Sequence, residues 1–263
     1  MKKRFWTCIL FGLMFAFGSF FACSQAKDSV SQGSSVQEQS SPEENEPIPI
    51  ETEGLAYEKI EGKDEYRVVG MGTATETDIV IAAQVRGMPV TEIGDNAFDS
   101  RENSLCMYLI SVVIPYGVRS IGNASFYGCE GLTRLVIPDS VQSIGNSAIT
   151  YCFNLSSIVI PDSVTSIGEY AFYDNTGLIS ITLSKSLTCI NYYSFFGCSS
   201  LTSITIPSSV TTIEFYAFSG CNSLATVRFD GTKAQWNAIA KKSYWNNGVP
   251  ATEVVCTDGT VTL

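Results

Sequence analysis

The chain has 263 residues, with 16 Lys and Arg against 26 Asp and Glu, a net charge of −10 and no histidine. A surface of that sign repels nucleic acid and anionic lipid headgroups, so neither is an expected partner. Without His the commonest general base and metal ligand is gone. No carboxylate pair recurs at catalytic spacing and no glycine-rich phosphate loop is present, so the sequence points to no enzyme, no cofactor and no metal site.

The first residues read MKKRFW, followed by an apolar run to Phe21 and then Ala22-Cys23. A basic start, an apolar core and a small residue before the cut describe a signal peptide over residues 1–22, the alternative being an uncleaved membrane anchor. A small residue followed by Cys also resembles the bacterial lipoprotein signal. That resemblance implies lipidation of Cys23, with Ser24 beside it favouring the outer membrane. More than one acyl chain on one Cys is enough for stable attachment. Residues 24–53 are rich in Ser, Gln, Glu and Pro and nearly free of large apolar side chains. Such a stretch cannot bury enough surface to offset ordering, so Cys23 and the residues to 53 read as a lipidated, disordered tether.

Order is expected from Gly54. Val68 and Val69, then Ile79 and Ile81, read as short strands around Gly70 and Gly72, within an N-terminal cap spanning residues 54–92. Val90, Ile93 and Phe98 begin a first, irregular coil. Ile93 and Val112 lie 19 residues apart where Ile121 and Leu135 lie 14 apart, so five extra residues bulge out between Asp99 and Leu105.

From Cys106 onward the chain repeats. In the stretch Cys198–Ser219 the apolar skeleton is Cys198, Leu201, Ile204, Ile206, Val210, Ile213 and Phe218, with Pro207 after the central run. Steps of 23 residues recover it at Asn175–Phe195, Cys152–Phe172, Cys129–Ile149 and Cys106–Phe126. A fixed period of this length marks a solenoid, in which no coil buries its own apolar face and stacked neighbours complete the core. Ile204 and Ile206 alternate with Ser203 and Thr205, so one pair points inward and the other outward from a strand. Pro207 cannot donate to a sheet and ends it. Val210, Ile213 and Phe218 are then expected to carry the chain back as a turn or short helix.

The motifs VTSIGEYAF (164–172) and LTSITIP (201–207) resemble the BspA-type, or treponemal, leucine-rich repeat. The resemblance covers roughly residues 54–263, with Ile149, Ser184 and Asn191 departing from the pattern as ordinary drift. It implies an α/β repeat solenoid: a right-handed leucine-rich-repeat horseshoe of about seven 23-residue coils, with a parallel strand sheet on one face and capped ends. It also implies a cell-surface protein that binds other macromolecules. The reading is of an exported, lipid-anchored protein of a host-associated bacterium that binds proteins or glycans for adhesion, host extracellular matrix among them. The alternative is a structural or envelope-assembly scaffold whose partner is another bacterial protein. Contact with the membrane would run through the lipid anchor only.

The solenoid itself spans residues 93–229, and the C-terminal cap residues 230–263. In that cap Thr232–Ile239 reads as a short helix capped by Thr232, with Trp236, Ile239 and Trp245 covering the last coil. Asp258-Gly259 reads as a two-residue hairpin turn between Val254-Val255 and Val261.

Three sets of residues are candidates for more than packing. Cys106, Cys129, Cys152, Cys198 and Cys221 share one repeat position with Asn175. A role common to Cys and Asn is a small buried group that satisfies loop backbone; disulfides between neighbours are the alternative. The strand face presents Arg134, Ser157, Ser180, Thr182, Ser203, Thr205 and Arg228 outward, a flat and mildly polar stripe. Its hydroxyls and end charges suit a peptide backbone or a glycan, making it the favoured ligand site. Tyr170, Tyr193 and Tyr216, again 23 apart, form an aromatic stripe on the opposite side, over the last three full coils. They either anchor an interface or cover the Phe layer beneath.

Overall fold

The computed structural model describes residues 51–263. The signal peptide, Cys23 and nearly all of the tether lie outside the described residues. After Ala56–Lys59, which pairs antiparallel with Tyr66–Gly70, the chain winds as a parallel β-solenoid, and each coil has three sides.

The first side is a row of eight strands: Asp78–Val80, Ser111–Val113, Arg134–Val136, Ser157–Val159, Ser180–Thr182, Ser203–Ile206, Thr226–Phe229 and Glu253–Cys256. Neighbours pair in parallel one coil apart, as in Ser111 with Arg134, Ser157 with Ser180 and Ser203 with Thr226. The alternation expected from the sequence holds: Ile158, Ile181, Ile204 and Val227 are buried, and the residues between them face solvent. Pro207 follows the last residue of its strand, as its missing N–H requires.

The return leg differs from the expectation. It is a second row of eight strands: Tyr66–Gly70, Met88–Ile93, Ser120–Ile121, Ser143–Ile144, Ser166–Ile167, Cys189–Ile190, Thr212–Ile213 and Ala240–Lys241. The rows therefore count eight coils, not seven, and run on through residues assigned from sequence to the two end segments. Among the described residues the only helices are the 3-10 helix Ser104–Tyr108 and the α-helix Lys233–Ala238. The α/β class is thus corrected to an almost entirely β coil.

The third side explains why no helix forms there. Three residues after the inward Ile, the backbone turns left-handed in successive coils, at Ala124, Ser147, Tyr170, Tyr193 and Tyr216, with φ between 49 and 58°. Four residues further on, Gly128, Tyr151, Asp174, Gly197 and Gly220 are left-handed again. A right-handed helix cannot contain such residues. Their effect is to turn alternate amides along the stack. Tyr170, Phe172 and Asp174 donate from their N–H groups to the carbonyls of Tyr192, Ser194 and Phe196 at 3.0, 2.8 and 2.7 Å, and neighbouring coils repeat the set. Left-handed backbone costs a side-chain-bearing residue about 1–2 kcal/mol; here three cross-coil hydrogen bonds per turn offset it.

Inside, Phe172, Phe195 and Phe218 stack with centroids 5.3 and 5.2 Å apart, as Phe98 and Phe126 do at 5.3 Å. Ile149 fills the rung between these two files and is fully buried. The five-residue bulge lies where the spacing placed it. Asp99 is 1% exposed and binds Arg101 through both carboxylate oxygens at 2.6–3.0 Å, and Asn103 caps the 3-10 helix.

At the C-terminal end Thr232 and Gln235 form a capping box on Lys233–Ala238. Trp236 packs against Phe229 and Trp245 with centroids 5.5 and 5.9 Å away. The hairpin that follows is shifted by one residue from the expectation. Cys256 pairs with Gly259, so the two-residue loop is Thr257-Asp258, and Gly259 (φ 128°) already belongs to the strand Gly259–Thr262.

Candidate interaction surfaces

The shared Cys and Asn position lies in the core beside the third side. Every thiol there is buried, and four donate to the carbonyl of the aromatic residue one coil back. The pairs are Cys129 to Phe98 (3.1 Å), Cys152 to Phe126 (3.3 Å), Cys198 to Phe172 (3.2 Å) and Cys221 to Phe195 (3.1 Å). Asn175 does the same through Nδ2 to the carbonyl of Ile149 at 2.7 Å, and its Oδ1 accepts the Cys152 N–H at 2.8 Å. Cys and Asn therefore exchange because both reach the same buried carbonyl one coil back. Burial pushes the Cys106 thiol up to about 11 and those of Cys152 and Cys221 to about 12, which makes them poor nucleophiles.

The strand-face residues stand where the sequence put them. Arg134, Ser157, Ser180, Thr182, Ser203, Thr205 and Arg228 all point outward and are exposed along one row. The row is not continuous. Ladder pairing stops between Arg134–Val136 and Ser157–Val159 and resumes beyond. At the interruption lies a shallow dent of about 260 Å³ lined by Arg134, Val136, Ser157 and Val159 among others. Val159 is 63% exposed, so the dent has an apolar lip beside a guanidinium.

On the second row, a polar side-chain ladder escaped the sequence reading. Asp95 accepts the N–H of Asn123, Asn123 that of Asn146, and Asn146 that of Glu169, at 2.7, 2.8 and 2.9 Å. The glycine before each donating residue makes this close approach possible: a Cβ on Gly168, before Glu169, would stand 2.4 Å from Asn146 Oδ1. The motif Ser-Ile-Gly-Asn at residues 120–123 and 143–146 was its only signal.

Ser184 and Asn191 are more than drift. Ser184 is buried and donates to the Val164 carbonyl at 2.6 Å. Asn191 Nδ2 donates to the Ile167 carbonyl at 2.6 Å, the role that backbone N–H groups such as that of Gly168 fill elsewhere. The second row breaks at this coil, between Ser166–Ile167 and Cys189–Ile190.

The tyrosine stripe lies on the third side and reaches further than three coils. Tyr170, Tyr193, Tyr216 and Tyr244 stack at 5.1, 4.8 and 5.3 Å with interplanar angles of 7–22°. Tyr173 stacks on Phe196 at 5.1 Å, and edge contacts through Tyr151 continue the network to Tyr127. There the Arg101 guanidinium sits 3.7 Å from the ring centroid. Most of these rings remain half exposed, and Tyr244 is 61% exposed. In a face-to-face stack each ring covers its neighbour, so edges and hydroxyls meet solvent. Burial pushes Tyr193 up to about 12, and raises Tyr170 and Tyr173 as well.

A solenoid with buried thiols, long exposed stripes and aligned repeats belongs among proteins that present extended surfaces to other molecules. The profile of the BspA type leucine rich repeat region matches residues 91–225 in six copies, and the chain belongs to that family. No curated protein matches the sequence. Among solved structures, a leucine rich repeat protein of T. pallidum is 29% identical with a TM-score of 0.62, over 66% of this chain and 78% of that one. A leucine-rich repeat protein of Bacteroides ovatus is 20% identical with a TM-score of 0.46, over 81% and 71%. The pneumococcal vaccine antigen PcpA is 14% identical with a TM-score of 0.46, over 78% and 69%.

Proposed function

We propose that this protein is exported, anchored through a lipid on Cys23, and displays its solenoid at the outer membrane or cell surface as a scaffold that binds a protein or glycan ligand in adhesion. One observation carries the ligand-binding part. The first strand row holds Arg134, Ser157, Ser180, Thr182, Ser203, Thr205 and Arg228 outward on a rigid sheet, with the dent at its interruption. Side chains held in register lose little freedom when a partner docks. Ser and Thr hydroxyls both donate and accept, which suits a peptide backbone or sugar hydroxyls.

The test begins with a pull-down of extracellular-matrix components against one of the cell's own envelope. Capture of a matrix protein or glycan is the expected result, and capture of envelope proteins alone would turn the reading into one of envelope assembly. With the captured ligand, the combined change Ser157→Glu, Ser180→Glu and Ser203→Glu removes binding while circular dichroism stays unchanged. Undiminished affinity rejects the strand face. For the anchor, Cys23→Ala leaves a full-length precursor without palmitate label; equal labelling of both forms would sink it.

A further inference from the structure

We propose that the aromatic third side is a second docking surface, and that its partner is an extended, arginine-bearing segment of another protein. It uses a different side from the strand row and stands or falls separately from that reading.

The surface already holds one example of the contact. Arg101 lies over Tyr127 at 3.7 Å while the Asp99 carboxylate grips the same guanidinium at 2.6–3.0 Å. A planar cation is held there by a ring and a carboxylate together. Further along, carboxylates again lie beside tyrosines, without a cation. Asp174 lies beside Tyr173 and Tyr151, and Glu169 beside Tyr170, close enough for each carboxylate to act on those phenols. Neither carboxylate makes a salt bridge among the described residues, which place seven ion pairs elsewhere. Asp174 is partly buried, and desolvation raises its pKa, as happens to a carboxylate without a counter-ion.

The outward hydroxyl oxygens of the stack accept hydrogen bonds from guanidinium donors, and the carboxylates beside them supply the charge. A sugar would need ring faces, and the stacking covers those at Tyr193 and Tyr216. Charge decides the rest: a chain of net charge −10 with unpaired carboxylates along this side attracts a cation and gains nothing from a neutral glycan. The spacing of 4.8–5.3 Å between rings favours an extended partner lying along the stack.

The probe is a labelled synthetic peptide alternating Arg and Ser, measured by fluorescence polarisation on the full chain, beside the same peptide with citrulline for Arg. The Arg peptide binds and the citrulline peptide does not. Glu169→Gln with Asp174→Asn weakens binding about tenfold or more, the scale of one or two cation contacts. Asp139→Asn with Asp230→Asn removes the same charge elsewhere and leaves binding within about twofold, as expected of distant charges. Tyr170→Phe, Tyr193→Phe and Tyr216→Phe together keep the stack and still weaken binding. Equal losses from the two carboxylate pairs reduce the effect to bulk charge and overturn the site. So does binding of the citrulline peptide, or binding of a neutral β-linked oligosaccharide in place of the Arg peptide. Ser157→Glu, Ser180→Glu and Ser203→Glu leave this binding in place.

Discussion

At the scale of single residues, the thiol ladder sets two expectations. Removing the Cys198 thiol with Ala leaves the Phe172 carbonyl unpaired in the core, at a cost of about 1–3 kcal/mol in chemical denaturation. Asn175→Ala removes two such bonds and costs more. The folded thiols sit well above their ordinary value, near 11 for Cys106 and 12 for Cys152. A raised folded pKa contributes stability that is complete below the unfolded value of about 8.5 and is lost as pH rises above it. Denaturation midpoints therefore fall between pH 8.5 and 11, and iodoacetamide at pH 8 leaves these cysteines unmodified until the chain unfolds. The pairing of Asn175 with the cysteines was legible, because a shared repeat position forces a shared role. Ser184 and Asn191 were not, because one sequence shows that a residue departs from its repeat without showing which carbonyl it has moved to meet. Restoring the repeat consensus with Ser184→Pro removes the bond to Val164 and destabilises by about 1–3 kcal/mol, seen as a lower melting temperature.

At the scale of the coil, the strand row was readable and the return leg was not, and the reason is physical. Strand alternation has a period of two and shows directly in Ser203-Ile204-Thr205-Ile206. The third side is defined by dihedral angles instead, and Ala124, Ser147 and Tyr170 do not advertise left-handed backbone as a glycine does. Only Gly128, Gly197 and Gly220 at the second position hinted at it. The second row leaves no room for a Cβ at Gly168, although Asn191 holds the equivalent position one coil on. Gly168→Ala drives a Cβ into Asn146, and its stability loss is expected at about 1–3 kcal/mol or above. Asn146→Ala does not relieve it, because the backbone N of Asn146 and the carbonyl carbon of Gly145 still stand 2.6 Å from that Cβ, so the double variant is no more stable than Gly168→Ala alone.

At the scale of the molecule, stability is a sum over coils and the joints between them. Excising Cys198–Gly220 joins Gly197 to Cys221, the Gly-Cys junction already present at residues 128–129, 197–198 and 220–221, and every inward residue keeps its register. The shortened chain keeps its circular dichroism and melts at a modestly lower temperature. Removing only residues 198–217 turns inward residues outward and abolishes folding. The length of the repeat, in contrast to the chemistry of its surfaces, was fully written in the sequence, since it depends on spacing alone.

The two strand rows are interrupted at different joints, the first between Arg134–Val136 and Ser157–Val159, the second one coil later. At the first joint the second row and the turn ladder are intact, and at the next the first row and turn ladder are. The stack is bonded like masonry with staggered seams. A tear opened at one weak seam meets sound courses on the two remaining sides and finds no plane along which to run, so a pull on the chain is resisted at every level by at least two of three walls.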